Sequence, residues 1–123
     1  MSYQLTYKKK KEILYVKVSG IRNFETVLSI IKDIQQICVN QSTCRVLVDV
    51  SGLEGHLKTM EAYDIPSTVF PKIREKRVIE KSAVVDLEES RKYFNFLENV
   101  AVNRSFNLRF FTNMEEATEW LGK

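Results

Sequence analysis

The sequence has few of the features that mark specialised protein classes. Its two cysteines, Cys38 and Cys44, flank a short polar loop and lack the CxxC spacing of redox and zinc motifs, which favours two buried thiols. No apolar run approaches the roughly 20 residues that a membrane-spanning helix needs, and the chain opens without a charged-then-apolar leader. We therefore expect a soluble, cytoplasmic protein with no membrane span, no metal site and no cofactor.

The charge balance also excludes a class of partner. The formal net charge is only +3, with basic and acidic residues scattered along the chain, so we expect no nucleic-acid partner. Four successive lysines at 8–11 have no interleaved aromatic residues, and we interpret them as the solvated turn of a hairpin. The length of 123 residues with 44% hydrophobic content fits a single domain spanning residues 1–123.

The most apolar stretch is at residues 44–50, Cys-Arg-Val-Leu-Val-Asp-Val. Its apolar residues are too continuous for a strand with one wet face, so we predict the central strand of a parallel sheet covered on both faces. Gly52 and Gly55 are predicted to break this strand, and Thr59 is a plausible cap of the next helix. Ligands of open α/β sheets bind where a strand ends and a helix begins, which makes this turn the expected site.

Alternation at residues 3–7 and 13–18 predicts a hairpin, and Asn23 is predicted to cap an amphipathic helix that reaches Cys38. Short strands are predicted at 82–85 and 106–110. Each precedes a capping pattern, Asp86 with Glu89 and Thr112 with Glu115. The last helix is expected to bury an apolar face of Met114, Ala117, Trp120 and Leu121. Pro66 and Pro71 interrupt residues 59–76, where we expect two short helical pieces.

Two stretches then resemble a known family. They are residues 48–55, Val-Asp-Val-Ser-Gly-Leu-Glu-Gly, and residues 98–104, Glu-Asn-Val-Ala-Val-Asn-Arg, running into 110–121. These stretches resemble the SpoIIAA-like, STAS-like proteins of bacteria, over nearly the whole chain. The resemblance implies one STAS-like α/β domain, β-β-α-β-α-β-α-β-α, with helices packed against a mixed five-stranded sheet. Ser105, in place of an expected glycine, and the broken segment 59–76 depart from the pattern.

The resemblance also implies where a regulatory phosphate would lie. Anti-sigma-factor antagonists of this fold carry an Asp-Ser-Ser/Thr-Gly turn shortly after the central strand, and phosphorylation there changes partner binding. This chain has Leu-Glu-Gly-His-Leu-Lys at residues 53–58, without a hydroxyl group. Ser51 comes too early and Thr59 is better explained as a cap. We therefore expect a STAS-like module that lacks the usual phosphorylatable serine.

An enzyme hypothesis would have to use residues near the same turn, namely Asp49, Ser51, His56, Thr59 and Asp64. A hydrolase of the serine type needs these residue classes, but the Val-Ser-Gly sequence at 50–52 is not a nucleophile elbow. Phosphate-binding glycine loops and dinucleotide fingerprints do not occur in the sequence. We therefore predict a protein that is not an enzyme.

Two non-enzymatic hypotheses remain. In the first, which we prefer, the module binds another protein, or a second copy in a homodimer, through the surface of residues 52–65. In the second, the proline-broken segment lifts from the sheet and opens a cavity for a small apolar, lipid-like ligand, by analogy with CRAL-TRIO domains. That cavity would be lined by Met60, Tyr63, Val69 and Phe70. The candidate partner-binding or ligand-binding residues are Asp49, Ser51, Gly52, Glu54, Gly55, His56, Thr59, Met60 and Tyr63.

Overall fold

Five strands form one sheet in a computed structural model that describes residues 3–43, 45–55, 79–92, 94–95, 98–99 and 107–122. The spatial order of the strands is β1-β2-β3-β4-β5, the same as their order in the chain. Their bounds are Tyr3–Lys10 for β1, Ile13–Ile21 for β2, Arg45–Glu54 for β3, Lys81–Val85 for β4 and Leu108–Phe111 for β5.

The sheet is mixed, as predicted. β1 is an edge strand and pairs antiparallel with β2, whereas β2, β3, β4 and β5 are all parallel. β3 lies in the middle, which confirms the prediction made from its continuous apolar run. The four parallel strands end along one side of the sheet, which we call the carboxyl edge.

The hairpin between β1 and β2 is tighter than the sequence predicted. Three of the four lysines belong to β1, and the turn consists of Lys11 and Glu12. Lys11 adopts a left-handed backbone conformation with φ of 58°, because a two-residue hairpin turn needs positive φ angles. The lysines at 8–10 extend along the edge strand, where charged side chains oppose pairing with another chain.

Helix α1, Phe24–Gln41, packs on one face of the sheet. The side chain of Asn23 accepts a hydrogen bond of 2.8 Å from the Thr26 N–H, which confirms the predicted cap. Ile30, Ile34 and Cys38 are buried against the sheet residues that point to this face, which we call the α1 face. Those sheet residues include Leu14, Val16, Val18, Val46, Val48, Val50, Val84 and Phe110.

Helix α2, Met114–Leu121, covers part of the opposite face, the α2 face. Ala117 and Leu121 are completely buried there against a layer of Ile13, Leu47, Ala83 and Val85. Two expectations for this helix were wrong. Asn113, not Thr112, caps it by accepting hydrogen bonds from Glu115 N and Glu116 N. Met114 is 43% exposed, because it lies at the helix start beyond the layer that the helix covers.

The described residues also correct the region before β5. Asp86 does not cap a helix through its side chain. Leu87 is the cap of the short 3₁₀ helix Glu88–Ser90 and makes no side-chain capping bond. The Glu98 side chain accepts a hydrogen bond from the Phe110 N–H of β5. Among the described residues, no helix is long and apolar enough to cross a membrane.

Candidate functional site

The carboxyl edge is held together by a buried ion pair between Arg22, directly after β2, and Asp86, directly after β4. Arg22 Nη2 lies 2.9 Å from Asp86 Oδ2, and both side chains are only 2% exposed. The same Nη2 donates to the Val50 carbonyl of β3 at 3.2 Å. One guanidinium nitrogen therefore links β3 to the residue that follows β4, and Arg22 itself directly follows β2.

The backbone of the same arginine fixes the end of β3. Its N–H donates to the Glu54 carbonyl at 2.7 Å, and the Nε and Nη1 atoms have no acceptor among the described residues. The other Asp86 oxygen accepts from the Leu87 N–H at 2.7 Å. A buried arginine needs a paired carboxylate because its charge is costly to remove from water. Asp86 supplies that charge, so the ion pair connects the residue after β2 to the residue after β4.

Gly52 does not break β3, contrary to the sequence-based expectation. The strand continues to Glu54, and Gly52 pairs with Ser19 after a register shift between β2 and β3. A Cβ at Gly52 would lie 3.0 Å from Ser19 Cβ and 3.1 Å from the Val18 carbonyl oxygen. Glycine is required here by close approach of the neighbouring strand rather than by a turn.

Gly55 marks the actual end of the strand. Its φ angle is +87°, a conformation that side chains rarely adopt. Around it, Gly52, Glu54 and Gly55 are exposed, and so is Ile21 at the end of β2, 57% of whose surface reaches solvent. The structure thus brings three of the predicted binding residues together on an exposed edge next to the buried Arg22–Asp86 ion pair.

Asp49 and Ser51, the other predicted residues that the structure describes, interact with each other. The Ser51 hydroxyl donates to Asp49 Oδ1 at 2.6 Å, and the Ser51 N–H donates to the same oxygen at 3.0 Å. This is a local side-chain turn of the kind that aspartate forms with the residue two positions later. Both residues are half-buried.

His56, Thr59, Met60 and Tyr63 lie outside the described residues, as do Asp64 and the predicted cavity under residues 59–76. Within the described part of the chain, a groove of about 370 Å³ lies elsewhere, on the α2 face over β1, β2 and β3. Asp49 is one of its lining residues. The described ranges contain no cluster of three or more His, Cys, Asp or Glu side chains able to hold a metal ion.

A second charged pair, between Glu88 of the 3₁₀ helix and Arg91 directly after it, lies near the carboxyl edge. Arg91 Nε lies 2.5 Å from Glu88 Oε1, and both side chains are largely exposed. The hydrogen bond from Arg91 lowers the pKa of the Glu88 carboxyl below its ordinary value. Because this pair is exposed, it contributes little to holding the edge together, in contrast to Arg22 and Asp86.

Sequence reasoning missed the Arg22–Asp86 pair, although a signal for it was present. Arg22 follows the strand ending at Ile21, and Asp86 follows the apolar run at 82–85. Opposite charges placed directly after two parallel strands lie at the same edge of the sheet. The pattern was instead interpreted as a helix cap, because aspartate followed three positions later by glutamate is also a capping pattern.

No protein-family model matches the sequence, and no curated protein matches it. Solved structures do. An anti-sigma factor antagonist from Mycobacterium paratuberculosis superposes with a TM-score of 0.62 at 17% identity, covering 99% of this chain and 96% of that chain. An uncharacterized protein with a SpoIIAA-like fold from Shewanella loihica superposes with a TM-score of 0.55 at 12% identity, covering 98% of this chain and 93% of that chain. Together with the five-stranded mixed sheet, these matches show that the chain has the SpoIIAA-like, STAS-like α/β fold.

Proposed function

We propose that this chain is a non-enzymatic regulatory module that binds another protein through the carboxyl edge, at the end of β3. The observation that carries the proposal is that Glu54 combines an exposed side chain with a hydrogen-bonded backbone. Its side chain is exposed, while its carbonyl is held at 2.7 Å by the Arg22 N–H above a buried ion pair. An exposed edge whose backbone is held by hydrogen bonds should lose less conformational entropy than a free loop when a partner binds.

The geometry of Asp49 and Ser51 supports a role without catalysis. In a serine hydrolase, an imidazole lies between the hydroxyl and the carboxylate and takes the proton. Here the hydroxyl donates directly to the carboxylate, at 2.6 Å. The same atoms satisfy a local turn in the backbone, and among the described residues the hydrogen-bond partner of the serine hydroxyl is this carboxylate and not an imidazole.

The fold supports a regulatory role by analogy. One of the similar structures is named as an anti-sigma factor antagonist, and its fold is shared over nearly the whole chain. We propose a single domain spanning residues 1–123 that acts in the cytoplasm on a protein partner, with His56, Thr59, Met60 and Tyr63 extending the contact surface. Because residues 53–58 contain no hydroxyl side chain, binding would be regulated by something other than phosphorylation at the usual position.

The test uses two charge reversals at opposite ends of the parallel strands. Glu54→Lys changes the exposed side chain at the carboxyl edge, and Glu12→Lys makes the same change in the β1–β2 turn. Both side chains are exposed, so both variants should fold, which circular dichroism checks. Chemically crosslinked partners would be recovered from source cells and quantified by mass spectrometry, with native protein alongside.

We expect Glu54→Lys to lose most of the partner recovered with native protein, and Glu12→Lys to retain it. Equal recovery with both variants would place the contact away from the carboxyl edge. Organic extraction of the purified native protein examines the alternative function. A stoichiometric apolar compound, recovered in place of any protein partner, would favour the small-ligand carrier instead.

A further inference from the structure

The α2 face has a groove that the helices of the described structure leave uncovered. It has a volume of about 370 Å³ and lies between the start of α2 and the strands β1 and β2. Its floor includes Leu47, which is completely buried, and its walls include Tyr15 and the exposed Met114. Ligand sites have volumes of roughly 300 to 1,000 Å³, so this groove is large enough to hold several side chains.

Lysine side chains border the same groove. Lys8 and Lys17 line it and are exposed, and neither forms an ion pair within the described part of the chain. Lys17 is the register partner of Asp49, which is the acidic residue among the described residues that line the groove. Two lysines and one aspartate therefore line the groove, which gives its lining a net positive charge.

We propose that this groove binds an acidic segment of a partner protein that also carries an apolar side chain. The glutamates or aspartates of the segment would lie against Lys8 and Lys17, and its apolar side chain would pack on Tyr15 and Met114, above the completely buried Leu47. Exposed methionine suits such a surface because its flexible, polarizable side chain adapts to different partners. Complementary charge adds selectivity and speeds association.

Other occupants fit the groove less well. A second copy of this chain would bring the same basic surface in a two-fold contact, which places lysines against lysines. A flat bilayer cannot reach the floor of a groove between a helix and a sheet. A small molecule would be poorly enclosed, since ligand sites usually bury most of the ligand surface and here α2 forms a wall on one side only.

The inference rests on the proposed function in taking the occupant to be a protein, but it concerns a different surface from the end of β3. Fluorescence anisotropy would measure binding of a labelled short peptide with glutamates flanking a Leu-Phe pair. A second peptide replaces the glutamates with lysines, and a third replaces Leu-Phe with Ser-Ser. Vesicles of phosphatidylglycerol and phosphatidylcholine serve as the membrane probe.

The charge variant is Lys8→Glu with Lys17→Glu, and its matched control is Lys32→Glu with Lys92→Glu, both exposed and away from the groove. Each pair changes the net charge from +3 to −1, since two lysines become two glutamates. The apolar variant is Met114→Ser, and its control is Leu87→Ser. The two residues have similar exposure, 43% for Met114 and 49% for Leu87.

We expect the acidic peptide to bind native protein, more weakly as salt rises, and the Lys8/Lys17 variant to lose roughly tenfold in affinity. The Lys32/Lys92 control should lose far less, because it changes only the overall field. Met114→Ser should weaken binding several-fold and Leu87→Ser should not. Amide chemical shifts should move at Tyr15, Lys17 and Leu47.

Four results would overturn the inference. The first is that the acidic peptide does not bind, and the second is that it loses the same affinity for the Lys8/Lys17 variant as for the Lys32/Lys92 control. The third is that the lysine peptide binds as tightly as the acidic one, and the fourth is that vesicles bind through Lys8 and Lys17 in place of the peptide. If the peptide experiment fails but Glu54→Lys loses its protein partner, the proposed function stands and only the groove inference is wrong. If the peptide binds as expected but Glu54→Lys recovers as much partner as native protein, the protein contact lies at the groove and not at the carboxyl edge.

Discussion

Arg22 and Asp86 lie 64 positions apart in the sequence and meet with 2.9 Å between Nη2 and Oδ2 in the interior of the protein. They follow β2 and β4, the two neighbours of β3, and Arg22 also donates to the Val50 carbonyl of β3. The pair therefore connects the residues that follow β2 and β4 to each other and to β3. The exposed surface proposed to bind a partner rests on this contact.

Removing the carboxylate of this pair should be costly. Asp86→Ala leaves a buried guanidinium without its counter-charge, and we expect the free energy of unfolding to fall by about 3 to 5 kcal/mol. Urea titration followed by circular dichroism measures the change. The double variant Arg22→Met, Asp86→Leu should recover much of the loss, since it buries no charge. Glu88→Ala, a nearby exposed carboxylate, is the control, and an equal effect of both alanine variants would contradict this account.

Even the smallest substitution at Gly52 should destabilise the protein. In Gly52→Ala the new Cβ would meet Ser19 Cβ at 3.0 Å and the Val18 carbonyl oxygen at 3.1 Å, so we expect a loss of about 1 to 3 kcal/mol in unfolding free energy. Gly122→Ala is the matched control, because its Cβ would find no atom nearer than 3.6 Å. If thermal denaturation gives the two variants the same midpoint, close strand approach does not explain Gly52.

Ser51 should not act as a phosphorylation switch in the folded protein. A phosphate on its Oγ would lie beside Asp49 Oδ1, which accepts a hydrogen bond from the Ser51 hydroxyl with 2.6 Å between the two oxygens. Mass spectrometry of protein purified from its own cells should find no phosphate on Ser51 at appreciable stoichiometry. Phosphate present on most molecules would show that the regulatory position had moved along the chain.

The electrostatic repulsion between Asp49 and a negative charge at position 51 can be measured directly. Ser51→Asp should lower the unfolding free energy by between about 1 and 4 kcal/mol relative to Ser51→Asn, because only the aspartate adds a charge next to Asp49. The two side chains have nearly the same size, so packing is matched. A difference near zero would mean that solvent screens this position well enough to accept a phosphate.

Tyr3 should make stability depend on pH at the alkaline end. Its hydroxyl donates to Asp33 Oδ2 at 2.5 Å, and this hydrogen bond raises the tyrosine pKa above its ordinary value of 10.0. Because the folded-state pKa is the higher one, the stabilisation is fully present below pH 10 and is lost as pH rises through the folded-state value. Tyr3→Phe should cost about 1 kcal/mol at neutral pH.

The measurement compares native protein with Tyr3→Phe by urea unfolding at several pH values. Subtracting the variant removes the contribution of lysine titration, which both proteins share. The difference in unfolding free energy should be constant from pH 7 to about pH 9 and should shrink above pH 10. A difference that grows with pH would mean that the hydroxyl does not donate to Asp33.

Much of the fold could be predicted from the sequence because a continuous apolar run has few possible environments. Residues 46–48 require cover on both faces, which places β3 at the centre of the sheet. The Asn23 cap and an amphipathic helix that reaches Cys38 were also predicted, since local hydrogen bonding and helical spacing are properties of neighbouring residues. The binding residues at the end of β3 remain a prediction.

Other features depended on the tertiary structure, because the same residue pattern is compatible with more than one local structure. Asp86 matches a helix cap by spacing and becomes an ion-pair partner only because Arg22 lies across β3. Gly52 resembles a strand breaker until Ser19 is placed against it. Met114 has helical spacing with Ala117, yet α2 begins beyond the sheet layer that it covers. The sequence by itself determined which segments are buried; contacts between distant segments decided which polar and small residues hold the carboxyl edge and border the groove.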